Sequence, residues 1–277
     1  MPVVADVTPM AARKEEELLS LLRGLPRAMV AFSGGVDSSY LVSAARVAMG
    51  DRVLAVTALS PSVPEVQREM ARRIAAEVGV AHRFVDTAEM GNPGYRENSL
   101  QRCYHCKTEL YGTLEELGAR EGFDVILSGT NKDDLGDFRP GLRAASERAV
   151  RHPLCEVGLD KAEIRVLSRR AGLPTWDAPA SPCLASRVPY GQEVTVDKLS
   201  QIEKAEAVLR RFGFHETRVR HHGDVARIEV APDEIARIVA SADRAQIVRE
   251  IKGLGFRHVA LDLEGYRTGS LHQGLEK

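Results

Sequence analysis

Five groups of residues in this 277-residue sequence have types and spacings that could do chemistry. The first is Ser33-Gly34-Gly35-Val36-Asp37-Ser38-Ser39, between an apolar run at 28–32 and a helical pattern. Two adjacent glycines allow positive φ and the close approach of a ligand. Ser38 and Ser39 fall where a helix N-terminus presents unpaired N–H groups, a setting that suits an anion such as the phosphates of a nucleotide. The loop lacks the Lys-Ser/Thr pair that ends a Walker A motif, which disfavours a kinase or a GTPase. The second group lies at 128–141, where Gly129 and Thr130 are followed by Asp133, Asp134 and Asp137 beside Arg139. Carboxylates together with nucleotide phosphates are what Mg²⁺ needs, because it keeps several waters and takes few protein oxygens. Asp37, Asp133 and Asp134 are the metal candidates, and a solvated acidic turn is the plain alternative.

The third group is Cys183 with Arg187 four residues on, inside the proline-rich stretch 175–191. A nearby guanidinium favours the nucleophilic thiolate, whereas a free cysteine of no special reactivity is usually a buried one. The fourth, Cys103-x-x-Cys106 at the start of a helix, reads as a metal or iron–sulfur ligand pair, as a redox pair, or as a pocket wall with incidental thiols. The fifth is the basic cluster Arg218, Arg220, His221 and His222, which could receive a substrate phosphate or form a solvated face.

The elements that must position these groups follow from periodicity. Continuous apolar runs at 28–32, 53–58 and 125–127 and a further strand at 82–85 alternate with helical patterns at 36–50, 63–78, 102–120 and 160–171, after a leading amphipathic helix at 11–22. Such alternation predicts an α/β fold, a doubly wound parallel sheet with helices on both faces, with ligands at the carboxyl ends of the strands. Beyond Gly191 the pattern changes. A helix at 196–212, a hairpin of 217–220 and 225–230 turning at 221–224, helices at 233–240 and 243–252 and a strand at 258–263 predict a smaller α+β C-terminal domain. The expected domains are 1–180 and 181–277, with 175–191 as the linker.

Composition bounds the function. Lys and Arg total 38 against 39 Asp and Glu, a formal net charge of −1, and aromatic residues make up 5%. Neither offers the basic, aromatic surface that nucleic-acid binding requires. Four cysteines are too few for a disulfide scaffold. No apolar run reaches the roughly eighteen residues that cross a bilayer, and residues 1–10 lack a basic-then-apolar leader, so no membrane association and a cytoplasmic location are expected.

The loop at 33–39 resembles the PP-loop of ATP pyrophosphatases of the adenine nucleotide alpha hydrolase-like class, a motif shared with GMP synthetase, NAD synthetase and thiouridine synthases. With 102–107, 128–141, 182–187, Arg218, Arg220 and 261–267 in this order, nearly the whole chain resembles the LarE family. The resemblance implies an ATP-dependent, Mg²⁺-assisted sulfur transferase acting on a pyridinium biscarboxylate mononucleotide, in biosynthesis of the nickel-pincer nucleotide of lactate racemase. It implies that Ser33 to Ser39, Gly129, Thr130, Asp134 and Arg139 hold ATP, that Arg187, Arg218 and Arg220 hold substrate, and that Cys183 attacks the adenylated carboxyl. Cys183 is then the sacrificial sulfur source; the alternative is a 4Fe-4S cluster on Cys103, Cys106 and Cys183. A homo-oligomer working with cofactor-pathway proteins is also implied. A tRNA thiolase and a non-catalytic nucleotide-binding regulator are the competing readings.

Overall fold

In a computed structural model, which describes residues 7–136 and 140–267, the chain forms two compact units. One contains the residues up to 89 and 101–181, the other 90–100 and the residues from 182 on.

The first unit opens with α1 (Pro9–Arg23), started by Thr8, whose hydroxyl accepts from Ala11 N, and by a proline in its first turn. Then come β1 (Ala28–Ala31), α2 (Val36–Met49), β2 (Val53–Leu59), α3 (Glu65–Val78) and β3 (Ala81–Asp86). After the short α4 (Pro93–Arg96) of the second unit, the first resumes with α5 (Arg102–Glu121), β4 (Val125–Ser128), α6 (Pro140–Glu147), α7 (Pro153–Glu156) and α8 (Lys161–Arg170). The four strands form one parallel sheet in the order β3-β2-β1-β4. Successive side chains of a strand point to opposite faces. Ala28, Val30, Val53 and Ala55 therefore join a core with Leu18, Leu22, Leu41, Ile74 and Leu167. Met29, Leu54 and Val56 pack with Leu110, Leu114 and Leu117 of α5 and Ala145 of α6. Burial on both faces explains why β1 and β2 read as unbroken apolar runs, and it gives the doubly wound parallel sheet that the alternation predicts.

In the second unit α9 (Val196–Arg211) is followed by β5 (Thr217–His222), β6 (Val225–Val230), α10 (Ile235–Ala240), α11 (Arg244–Gly253) and β7 (His258–Leu261). β5 and β6 pair antiparallel, β6 and β7 parallel, around a core of Leu209, Phe214, Val219, Ile228, Ile247 and Ile251. Residues 90–100 join this unit through Asn98, whose Nδ2 donates to the Val188 and Pro189 carbonyls at 3.1 and 2.8 Å, while Val194 N donates to Arg96 O at 2.9 Å.

The border between the units falls after Ser181, inside the stretch 175–191; before it Arg165 donates to the Trp176 and Ala178 carbonyls, and after it Leu184–Arg187 is a buried 3-10 turn of the second unit. Two expectations need correction. His221 and His222 belong to β5, leaving Gly223 and Asp224 to turn the hairpin, since Gly223 has the positive φ that a tight turn requires. Arg218, Arg220 and His221 are buried, so this cluster is no solvated face. The elements α4, α6 and α7 are too short to show a periodicity in the sequence. Among the described residues no helix is long and apolar enough to cross a membrane.

Candidate active site

The loop between β1 and α2 is held by its own serines. Ser38 Oγ lies 3.0 Å from Ser33 Oγ and donates to Gly35 O at 3.2 Å, while Ser33 N donates to Ser38 Oγ at 3.3 Å. Gly34 has φ +74°, and a Cβ there would lie 3.0 Å from Ala71 N and 3.1 Å from Gln67 O, so α3 packs directly on the glycine. Gly129, just past β4, is equally constrained: its Cβ would come within 2.8 Å of Ser38 N. The N–H groups of Val36, Asp37 and Ser38 have no acceptor within the helix, as at any helix start. Ser39 differs from the expectation, because its N–H already donates to Gly35 O and its side chain is fully buried.

The next loop is shaped by its carboxylates. Asp134 Oδ2 accepts from Asn131 N at 3.0 Å and Asp133 Oδ2 accepts from Lys161 N at 2.9 Å. Ser128 and Thr130 share a hydroxyl contact at 3.3 Å. Asp137 and Arg139 lie outside the described residues. Lys161 is a residue that sequence reasoning missed. Its Nζ sits 2.7 Å from Asp37 Oδ2, and Asp37 Oδ1 is buried with no hydrogen-bond partner. Nothing local signals this pairing, since 124 positions separate the two residues. Within neither unit, among the described residues, do three His, Cys, Asp or Glu side chains converge on a point that could hold a metal ion. Asp37, Asp133 and Asp134 thus form no ready-made three-carboxylate site. The orphaned Asp37 oxygen still fits a cation held jointly with phosphates.

Cys103 is exposed and Cys106 half-buried, one turn apart at the start of α5. Between them Tyr104 lies under the Arg143 guanidinium, 4.0 Å from ring centroid to carbon, and donates to Glu147 at 2.7 Å. Cys155 was not singled out by sequence, and its thiol is pushed up by burial and by Asp134 and Glu156, which disfavours the reactive thiolate.

Cys183 is half-buried and caps the Leu184–Arg187 turn. Arg187 (2% exposed) donates from Nε to Glu206 at 2.9 Å, and from Nη1 to Pro182 O at 2.6 Å and Cys183 O at 3.1 Å. Arg220 makes a bidentate pair with Glu229 at 2.9 and 2.8 Å and donates to Ser186 O at 2.9 Å. Arg218 donates to Thr217 O at 2.7 Å and lies over the Tyr266 ring, 4.6 Å from its centroid. Burial, then Arg187, hold its guanidinium below the ordinary arginine range, so an anion would be welcome beside it. Arg187, Arg218 and Arg220 are thus brought together in the second unit around the turn that carries Cys183.

A parallel sheet with a glycine-serine loop leading from its first strand into a helix defines the class, the PP-loop ATP pyrophosphatases. No protein-family model matches the chain. It is 44% identical over 268 residues to an uncharacterized protein of Synechocystis, covering 97% of this chain and 100% of that protein. It is 36% identical over 267 residues to the pyridinium-3,5-bisthiocarboxylic acid mononucleotide synthase of Lactiplantibacillus plantarum, covering 96% of each. Within the PP-loop class it is 27% identical over 210 residues to a glutamine-hydrolyzing GMP synthase of Aeropyrum pernix, covering 66% of this chain and 39% of that enzyme. The chain belongs to the LarE family, and with it to the ATP-dependent sulfur-transfer enzymes.

Proposed function

We propose that this enzyme adenylates a carboxylate of a pyridinium biscarboxylate mononucleotide and replaces the activated oxygen with sulfur from Cys183. The observation that carries the reading is the end-to-end similarity to the Lactiplantibacillus plantarum synthase, whose name states a bisthiocarboxylic acid product. A substrate carboxylate oxygen attacks the α-phosphorus of ATP and pyrophosphate leaves. The N–H groups at the start of α2, with Ser33 to Ser38, Gly129 and Thr130, receive the phosphates, and Lys161 supplies a cation beside them. Mg²⁺ would be held by Asp37 with Asp133 or Asp134, and would supply charge neutralisation of the pyrophosphate. Arg218 offers its guanidinium to the substrate phosphate.

The Cys183 thiolate then adds to the acyl carbon and AMP departs, leaving a thioester, because a carboxyl is a good electrophile only once its oxygen belongs to a leaving group. Loss of the Cys183 Hα to a base and cleavage of Cβ–S release the thiocarboxylate and leave dehydroalanine. A reducing, cytoplasmic setting keeps the thiol available, and the family resemblance extends the reading to a homo-oligomer serving a cofactor pathway. Intact-mass measurement after incubation with ATP, Mg²⁺ and substrate tests it. A loss of about 34 Da, one H₂S per chain, is expected from the elimination; sulfur transfer by Cys183→Ala would overturn it. Cys103 and Cys106 in the first turn of α5 support the alternative, in which a 4Fe-4S cluster completed by Cys183 donates sulfide. Iron and labile sulfide in anaerobically purified protein, with unchanged mass after turnover, would replace sacrifice by that route.

A further inference from the structure

The turn that carries Cys183 is gripped at both ends by buried guanidinium groups, and each guanidinium is anchored by a carboxylate from a different element. Arg187 folds back over its own turn: Nη1 reaches the carbonyls of Pro182 and Cys183 and lies 3.0 Å from Ser186 Oγ, while Nε and Nη2 rest on Glu206 of α9 at 2.9 and 3.4 Å. Glu206 is 3% exposed and also accepts from Val219 N of β5, which fixes its position relative to the hairpin. At the other end Arg220 of β5 donates to Ser186 O and is locked by the two oxygens of Glu229 on β6, which is 1% exposed. The turn's own hydrogen bonds, Ser186 N to Cys183 O at 3.0 Å and Val188 N to Ala185 O at 3.2 Å, could not alone hold so short a segment in one conformation.

We infer that Glu206 acting through Arg187, and Glu229 acting through Arg220, are positioning residues that aim Cys183 at the activated carboxyl carbon. The inference rests on Cys183 being the nucleophile. It gives Arg187 and Arg220 a task at the cysteine's backbone, through the carbonyls of Pro182, Cys183 and Ser186. A planar guanidinium can satisfy a carboxylate with one edge and two carbonyls with another, which an ammonium cannot reproduce. The chemical consequence is large, because a nucleophile displaced by about 1 Å loses on the order of 10²-fold in rate.

The test is single-turnover sulfur transfer by the full-length enzyme, following both rate constant and amplitude over a range of ATP and substrate concentrations. Arg187→Lys keeps the charge and loses the fork. Glu206→Gln and Glu229→Gln keep the shape and lose the charge. Each is expected to lower the rate constant at saturation by about 10- to 100-fold, with the amplitude near one sulfur per chain and the half-saturating concentrations unchanged. A merely structural role would reduce the amplitude, the fraction of competent molecules, and leave the rate constant alone; that outcome, or a variant that yields no competent protein, overturns the inference. Recovery of the full rate at high substrate would also overturn it and make Arg187 a substrate ligand. Failure of the underlying reading is separately visible, since Cys183→Ala would then still transfer sulfur.

Discussion

At the scale of single residues, the two positions that most constrain the loop between β1 and α2 are the glycines Gly34 and Gly129. Gly129 lies so close to α2 that an alanine Cβ would meet Ser38 N at 2.8 Å and Ser38 Cα at 2.9 Å, both backbone atoms that cannot swing away. Gly129→Ala is therefore expected to cost about 1–3 kcal/mol and to raise the half-saturating ATP concentration. Gly112, inside α5, would meet only the flexible end of Arg148 at 3.5 Å. Gly112→Ala should leave ATP use unchanged and stabilise the protein by about 0.5–1 kcal/mol, as alanine generally does in a helix. Denaturant midpoints with ATP titrations check both; equal effects at the two positions would mean that close approach to Ser38 is not what requires Gly129. The turn of residues 33–38 into a helix was readable in the sequence because glycine and serine act locally. Lys161 was not, because its partner Asp37 is brought to it by the sheet.

At the scale of elements, α8 shows how one helix start serves both fold and site. Asp160 accepts from Glu163 N at 2.8 Å while Glu163 accepts from Asp160 N at 3.1 Å, a reciprocal cap. Glu163 also pairs with Lys14 of α1 at 2.7 Å, tying the two helices. The next residue after the cap is Lys161, with its N–H on Asp133 and its ammonium on Asp37. Asp160→Ala is expected to cost about 0.5–2 kcal/mol and also to weaken ATP use, because the ammonium loses its fixed origin. Thermal unfolding and ATP-dependent turnover check this, and a stability loss with unaltered ATP use would separate the cap from the site. The cap was legible, since Asp-x-x-Glu before an apolar pattern is a local signal. The 3-10 turn at Leu184–Arg187 was not: it is held by Arg220 and Glu206, which lie 34 and 19 positions along the chain from the residues they bond.

At the scale of the whole molecule, four histidines share one electrostatic trait. Burial lowers His82, His152 and His221 below the ordinary 6.5, aided by Arg72 at His82 and by Lys198 at His221, and despite Glu156 and Asp134 at His152, while the more exposed His222 is lowered by partial desolvation together with Arg227 and Arg220. A lowered histidine binds its proton more readily in the unfolded chain. Stability from this source is fully present above 6.5 and is lost as pH falls from there through the folded values, where the unfolded state takes up protons first. The melting temperature is accordingly expected to be level from pH 8 to 7 and to fall on acidification below about 6.5, in both units, since His82 and His152 belong to one and His221 and His222 to the other. A flat profile down to pH 5 would show these rings to be solvated.

The alternating apolar runs determined the doubly wound sheet, because burial on both faces requires side chains of one kind throughout a strand. The loop at 33–39, with the later motifs, determined the family, because glycine and serine chemistry at a helix start is written into consecutive residues. Only the tertiary structure decided which carboxylates neutralise the buried guanidinium groups and which carbonyls those groups reach. Arg187 and Arg220 look like free cations in sequence, yet they are neutralised by Glu206 and Glu229 and turned onto carbonyls. Removing a guanidinium from water is tolerable only where such partners converge, and their convergence depends on helix and hairpin packing together, which no local pattern records.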